Sequence, residues 1–294
     1  MVSSARIVVG VCAYNEEKNV GRLLKNLISE QNLPKASHIL IVCSGCSDQT
    51  PQIVKDFQKE DERIEPIIES VRAGKASALN RIFGIARKTA DILVLVNADA
   101  LPSNGSICKL VSALVKSDAG ATFAQPIPLK NSSGVCYNIV RVIWRLHHII
   151  SLFQTPKLSG ELCAIRASCL EDIPRNIATD EPYIELSIRR KGYKILYVDK
   201  AAVTIRCPTT MLDLLKQRKR IWIGHMQLQS QTGFKVSTSN IKNVARAASA
   251  LKLNEIPYLV LGGMLEAIAY LQAKIEIGRG RIPYTWEPIR STKT

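Results

Sequence analysis

An α/β fold, a mostly parallel sheet flanked by helices, is what this sequence predicts, and three observations predict it. Short β-branched apolar runs alternate with amphipathic helical stretches over the first hundred residues, the order that builds a parallel sheet with helices on its faces. The run at 91–100 is apolar until its polar end, as a strand buried on both sides must be. The unusual polar clusters, Tyr14-Asn15-Glu16, Ser44 to Asp48 and Asn97-Ala98-Asp99, fall where apolar runs stop, at the sheet edge where such folds bind ligands.

Each element has its own warrant. Residues 6–13 read as a strand, stopped at Tyr14 to Glu17, where Asn15 can cap a helix and two acids can sit in its first turn. That helix, 16–31, places Val20, Leu23, Leu24, Leu27 and Ile28 on one face. A strand at 38–44, a helix at 48–60 with Pro51 in its first turn and, after the stretch 64–68, a helix at 74–90 follow. Then come a helix at 106–117, a strand at 120–127 and an amphipathic helix at 135–153. Two further strands, within 161–168 and 193–205, frame a short helix that opens at Asp180-Glu181. His147 and His148 read as surface or interfacial rather than metal-ligating, because adjacent helical residues face different ways.

The last third changes character. Residues 211–229 form a basic helix carrying Leu, Ile and Trp, and 256–275 is the most apolar stretch of the chain. Pro257, Gly262-Gly263, Glu266 and Gln272 interrupt it, short of the ~20 clean apolar residues a span wants. An in-plane or re-entrant membrane helix is expected there, with a buried helix of the soluble part as the competitor. The expected division is 1–225 for a catalytic domain and 226–294 for a helical region that associates with membrane.

At 294 residues, 46% of them hydrophobic, the chain can bury a sizeable core. Forty Lys and Arg oppose 25 Asp and Glu, giving +15 and a need for a polyanionic neighbour: anionic lipid, nucleic acid or a phosphorylated substrate. Nucleic acid is disfavoured, since no basic-aromatic ladder or reading motif is present. The eight cysteines, several within apolar runs, read as free thiols of a reducing compartment, and the lone C-x-x-C at Cys43 and Cys46 lacks the second pair a zinc site wants. The N-terminal apolar run is too short for a signal peptide, and no G-x-G-x-x-G follows the first strand, which disfavours a dinucleotide dehydrogenase.

Chemistry is expected at the strand ends. Asp99 follows a buried strand, a place where a carboxylate can hold a hard divalent cation that also grips a diphosphate, although an Asp there also suits a turn. Arg72 to Asn80 opens a helix with Gly74 and two cations, a combination that favours an anion. The adjacent acids Asp180 and Glu181 can push one pKa upward, and Glu185 reads as an acid stabilising the start of its helix.

Taken in order, VCAYNEE, SGCSDQT, GKASALN, NAD, SGELCAIR, TDEPYIELSIRRKGYKILYV and QRKRIW resemble the motifs of family 2 inverting glycosyltransferases of the GT-A fold, over about residues 5–225. The resemblance implies that Ala13, Tyr14 and Glu16 line the base and ribose of a nucleotide, with Asp48 shaping that pocket and Arg72 and Lys75 nearby. It implies that Asp99 binds Mg²⁺ or Mn²⁺ across the diphosphate, with Asn97 in the place of the first acid of a D-x-D. Gln217, Arg220 and Trp222 look like a Q-x-x-R-W element, whose Arg would face the diphosphate and whose Trp would floor the acceptor site. An interposed Ile221 turns Trp222 by about 100° from the family position. Asp180 or Glu181 would be the base that takes the acceptor proton. The implied activity is transfer of a sugar, with inversion, from a UDP- or GDP-linked donor to a lipid-linked or polysaccharide acceptor at the cytoplasmic face of a membrane, whose anionic surface would meet the basic surplus. Cys43-Ser44 and Asn97 stand where the family carries acids, which keeps a non-catalytic domain binding nucleotide or glycan as the alternative.

Overall fold

The computed structural model describes residues 5–130, 134–153, 156–237, 240–282, 284–285 and 289–292; residues 1–4, at the end where no leader is expected, lie outside these. Strands β1 (Ile7–Ala13), β2 (His38–Ser44), β3 (Ile64–Glu69) and β4 (Ile92–Val96) alternate with helices α1 (Val20–Ser29), α2 (Thr50–Glu60) and α3 (Lys75–Thr89). Next come β5 (Leu101–Pro102), α4 (Ser106–Val115), β6 (Ala121–Pro128), α5 (Val135–Phe153), β7 (Leu162–Arg166), α6 (Glu181–Arg190) and β8 (Ile195–Ile205). Helices α7 (Met211–Thr232), α8 (Ile241–Ala248) and α9 (Ile256–Gly278) close the chain.

One eight-stranded sheet, in the order β3-β2-β1-β4-β7-β6-β8-β5, carries the site. β3, β2, β1 and β4 are parallel, as are β6 and β8, but β7 runs antiparallel to both its neighbours and β5 antiparallel to β8. The sheet is therefore mixed beyond β4. Because β7 is reversed, its beginning lies at the same edge as the end of β4, with Val96 opposite Leu162.

Alternation along β1 divides the core. Ile7, Val9 and Val11 join Leu23, Leu24 and Leu27 of α1 and Ile107 and Leu110 of α4 under one face. Val8 joins Leu79, Ile82 and Phe83 of α3 and Ile184 and Ile188 of α6 under the other. A sheet buried on both faces needs the unbroken apolar runs seen in β1, β2 and β4.

Two local expectations change. α1 begins at Val20, and Asn15 does not cap it: Asn15 is left-handed, with φ 52°, and its amide oxygen accepts from Ser47 N at 2.9 Å, joining the loops after β1 and β2. Glu185 is too far into α6 to serve its N-terminus. It is buried, accepting from Leu158 N at 2.9 Å and Arg189 Nε at 2.8 Å.

The expected division at residue 225 falls inside α7, which runs unbroken through it. α9 lies against α7 and α5, burying only Gly262, Leu265, Ala269 and Ala273. The segment Leu253–Gly278 is long and apolar enough to cross a membrane, with a mean hydropathy of 1.3, yet most of its surface is exposed. Val260, Met264, Ile268, Leu271 and Ile275 form an open stripe at helical spacing.

Candidate active site

The sequence motifs converge on one cavity of about 400 Å³ at the carboxyl edge of the parallel strands. Its first wall is made by loops. Ala13 and Tyr14 end β1, and the Arg72 guanidinium stacks on the Tyr14 ring 3.8 Å from its centre. Gly45 makes this approach possible, being left-handed at φ 63°, with the place of a Cβ only 2.4 Å from Arg72 N. Glu16 also lines the cavity, its carboxylate accepting from Asn19 Nδ2 at 2.8 Å. Asp48 stands behind the wall, where its oxygens accept from Glu17 N and Thr50 N and hold the turn into α2.

At the centre, Lys75 opens α3 and reaches three residues from two other segments, the end of β4 and the start of α6. Its Nζ lies 3.2 Å from Asn97 Oδ1, 3.0 Å from Asp180 Oδ2 and 3.9 Å from Glu181 Oε1. Burial alone would lower the lysine, but Asp180 and Glu181 outweigh it and raise its pKa. Burial, and next the charge of Glu181, push Asp180 up. Burial pushes Glu181 the same way, but Lys75, with backbone hydrogen bonding and Lys157, brings it below its ordinary value, so Glu181 holds its charge.

Neighbouring glycines shape this centre. A Cβ on Gly160 would sit 2.3 Å from Glu181 Cγ, and one on Gly224 of α7 would sit 2.0 Å from Thr179 Oγ1. Arg220 and Gln217 of α7 line the cavity beside the acids, with Arg220 Nε 3.4 Å from Ala178 O.

Asn97 and Asp99 follow β4 into the cavity, and beside them stands Glu161, a residue the sequence reading passed over. Its Oε2 accepts from Asn97 Nδ2 at 2.8 Å, and its pKa is raised to about 7 by burial and by Asp99. The reversed direction of β7 brings it here, since an antiparallel strand presents its beginning where the parallel strands present their ends. Among the described residues no group of three or more His, Cys, Asp or Glu could hold an ion unaided. Mg²⁺ and Mn²⁺ do not require one, being commonly held by one or two carboxylates together with substrate phosphates. Asp99, half-buried in the cavity wall with Glu161 close by, fits that arrangement.

The opposite wall comes from α5, α7 and the loop before Gly160. His147 and His148, read as surface or interfacial, are both half-buried and line the cavity. His148 Nδ1 lies 2.6 Å from the Tyr197 hydroxyl. Burial, then the charges of Lys157 and Arg218, lower His147 to about 3, and burial with the same two cations lowers His225. Trp222 does not reach this wall. Its indole donates to Glu266 Oε2 of α9 at 2.7 Å and meets Tyr270 edge-on, while the interposed Ile221 takes the place on the cavity.

Cys12, also in the wall, is pushed up to about 12 by burial, and all eight cysteines are free thiols. Cys43 is raised by its hydrogen bond with Cys46 and by burial.

The profile of Glycosyl transferase family 2 matches residues 8–171, more than half the chain. The chain belongs to that family. The match takes in the loops from β1 to Glu161 and stops short of Asp180 and Glu181. Poly-beta-1,6-N-acetyl-D-glucosamine synthase of Staphylococcus epidermidis is 25% identical over 222 residues, 71% of this chain and 52% of its own. Beta-monoglucosyldiacylglycerol synthase of Trichormus variabilis is 26% identical over 113 residues, 38% of this chain and 24% of its own. The chain thus spans about half, or less, of the length of these family 2 relatives.

Among solved structures, the mannosyltransferase PcManGT of Pyrobaculum calidifontis, in complex with GDP-Man and Mn²⁺, superposes with a TM-score of 0.65 at 21% identity, over 98% of this chain and 83% of its own. TarS 1–349 of S. aureus with UDP-GlcNAc gives 0.51 at 14%, over 94% and 92%. At these identities the likeness is one of fold, the GT-A fold with its open, mixed sheet.

Proposed function

We propose that this chain is an inverting, metal-assisted glycosyltransferase that moves a sugar from a nucleoside diphosphate sugar to a lipid-linked or polysaccharide acceptor at a membrane surface. The observation that carries this reading is the meeting, in one cavity, of the Lys75–Asp180–Glu181 cluster with Asp99 and the Tyr14–Arg72 stack. Tyr14 and Arg72 offer a face to the nucleotide. Lys75 and Arg220, which both line the cavity, would meet its diphosphate. Asp99, with Glu161 behind it, would hold a divalent ion, which supplies charge to offset that gathering on the leaving diphosphate.

Glu181 is the base and Asp180 a positioning residue. Asp180 is buried against Lys75, whereas Glu181 is the more open of the two and keeps its charge. As the acceptor oxygen bonds to the anomeric carbon, the bond from that carbon to the diphosphate oxygen breaks, and its electron pair leaves with the nucleoside diphosphate. The acceptor proton passes to Glu181. Attack from the face opposite the leaving group inverts the anomeric centre.

The membrane reading draws on α9. Its open apolar stripe, from Val260 to Ile275, is about 23 Å long at about 1.5 Å per residue, with exposed Lys252 before it and Lys274, Arg279 and Arg281 toward and beyond its end. An apolar face bordered by cations suits a helix lying in an anionic headgroup layer. The relatives named above make a polysaccharide and a glycolipid by name, which fits either acceptor class.

The test is release of nucleoside diphosphate from a panel of UDP- and GDP-sugars with Mn²⁺ or Mg²⁺. Wild type should use one donor, Asp99→Ala should lose metal-dependent nucleotide binding, and Glu181→Gln should bind but not turn over. Metal-dependent binding without transfer to any polysaccharide or lipid acceptor would favour instead the non-catalytic reading, which Asn97 in place of an acid supports.

A further inference from the structure

One part of the cavity is left without a task by the transfer chemistry. Beyond Glu181, away from Lys75, stand Lys157, His225, His147 and Arg218, drawn from a loop and two helices. Lys157 Nζ lies 3.3 Å from Nε2 of His225, a neutral imidazole, and no other hydrogen-bond partner of this ammonium occurs among the described residues. The carboxylates that attract it are committed elsewhere. Glu185 is taken by Arg189 and Leu158 N, Glu266 by Arg218 and Trp222, and Glu181 faces Lys75. A half-buried ammonium whose hydrogen-bond partner is a neutral imidazole keeps its charge uncompensated until an anion joins it.

The position is also built. The backbone on either side of Lys157 is tied to α6: Pro156 O accepts from Arg189 Nη2 at 2.9 Å, and Leu158 N donates to Glu185 Oε2 at 2.9 Å. Glu185 and Arg189 are joined to each other at 2.8 Å, so one ion pair in α6 fixes the loop that carries the lysine. Beside the cations the wall turns apolar, with Val140, Ile143, Trp144 and Leu214 running toward the α5 and α7 surfaces that α9 packs against.

We infer that this half of the cavity is a subsite for an acceptor-borne phosphate, in which Lys157, His225, His147 and Arg218 hold the phosphate of an amphiphilic acceptor whose apolar part lies along Val140, Ile143 and Trp144. The inference rests on the transferase reading and names its acceptor class. The anion would give the Lys157 ammonium a charged partner beside the neutral His225 and His147, and the two imidazoles give it room to recruit protons.

The test is calorimetric titration of the full chain, loaded with Mn²⁺ and UDP or GDP, using n-octyl phosphate, n-octanol and inorganic phosphate. Octyl phosphate should bind at least tenfold more tightly than either of the others. Its heat should vary with the ionisation enthalpy of the buffer between pH 6 and 7, showing proton uptake. Lys157→Met should abolish the preference for octyl phosphate and Lys157→Arg should retain most of it, with nucleotide affinity within about twofold of wild type in both. Equal binding of octanol, or inorganic phosphate binding as well as octyl phosphate, would overturn the assignment. So would a loss of nucleotide affinity in Lys157→Met as large as its loss of octyl phosphate, which would give the cluster to the donor. Each of those outcomes leaves sugar transfer by the wild type intact, whereas failure of the transferase reading removes transfer.

Discussion

The two halves of the cavity are built differently. The half around Tyr14, Arg72, Lys75 and Asp99 hangs on strand ends and the turns that leave them, each set by a few contiguous residues such as the Gly45 turn against Arg72. The half around Lys157, His147 and His225 is assembled from a loop and the sides of two long helices, α5 and α7, remote from one another in sequence. Strand ends repeat one geometry for one kind of ligand, and helix sides can be redrawn without disturbing the sheet. With the roles proposed above, that difference would let the acceptor half change without disturbing the donor half.

The comparison breaks first at the carboxylates between the halves. Glu181→Gln should lower kcat by about 10²–10⁴ through loss of the proton acceptor while the nucleotide Kd stays near wild type; an equal loss of nucleotide affinity would place Glu181 in the donor half. Gly160→Ala is the next largest. A methyl 2.3 Å from Glu181 Cγ must displace that side chain, so turnover should fall tenfold or more with little change in nucleotide binding. Unaltered turnover would show that Glu181 moves freely.

Trp222→Phe sharpens the contrast from outside the cavity. It removes the bond to Glu266 and should cost about 1 kcal/mol in chemical denaturation without altering donor affinity. A large loss of acceptor use would return Trp222 to the acceptor site.

The smallest effect is acidic. His147 is held neutral in the fold, with a pKa of about 3, and titrates near 6.5 once unfolded. The unfolded chain therefore binds more protons between those values, so this contribution to stability is full above about pH 6.5 and is lost as pH falls toward 3. Tm should drop from pH 7.5 to 5.5, and His147→Gln should drop less; parallel slopes would remove His147 from the buried wall.

Most of the sheet and, Glu161 apart, the strand-end half of the cavity were legible because the relevant residues are contiguous. An apolar run followed by Tyr14, by Ser44-Gly45 or by Asn97 to Asp99 states both the strand and what its end presents. Glu161 escaped because a strand's direction is not written in its own residues; only its pairing with β4 and β6 reverses β7. Asn15 has the composition of a cap, but tertiary bonding to Ser47 decided its backbone. His147 escaped for a further reason. The helical pattern of α5 shows which side is apolar, not that its neighbours there would include Lys157 and Arg218, brought in by residues 156–158 and by α7.

Glu266 of α9 takes the Trp222 indole on one oxygen and Arg218 on the other, so the helix proposed to rest in the headgroup layer is fastened to the wall that carries the acceptor subsite. The depth at which α9 settles then sets the height of the cavity mouth above the lipid. For such an enzyme the concentration that matters is two-dimensional. Its rate would follow the mole fraction of acceptor in the surface, and diluting the acceptor with inert lipid would slow it even where the total amount of acceptor in the tube is unchanged.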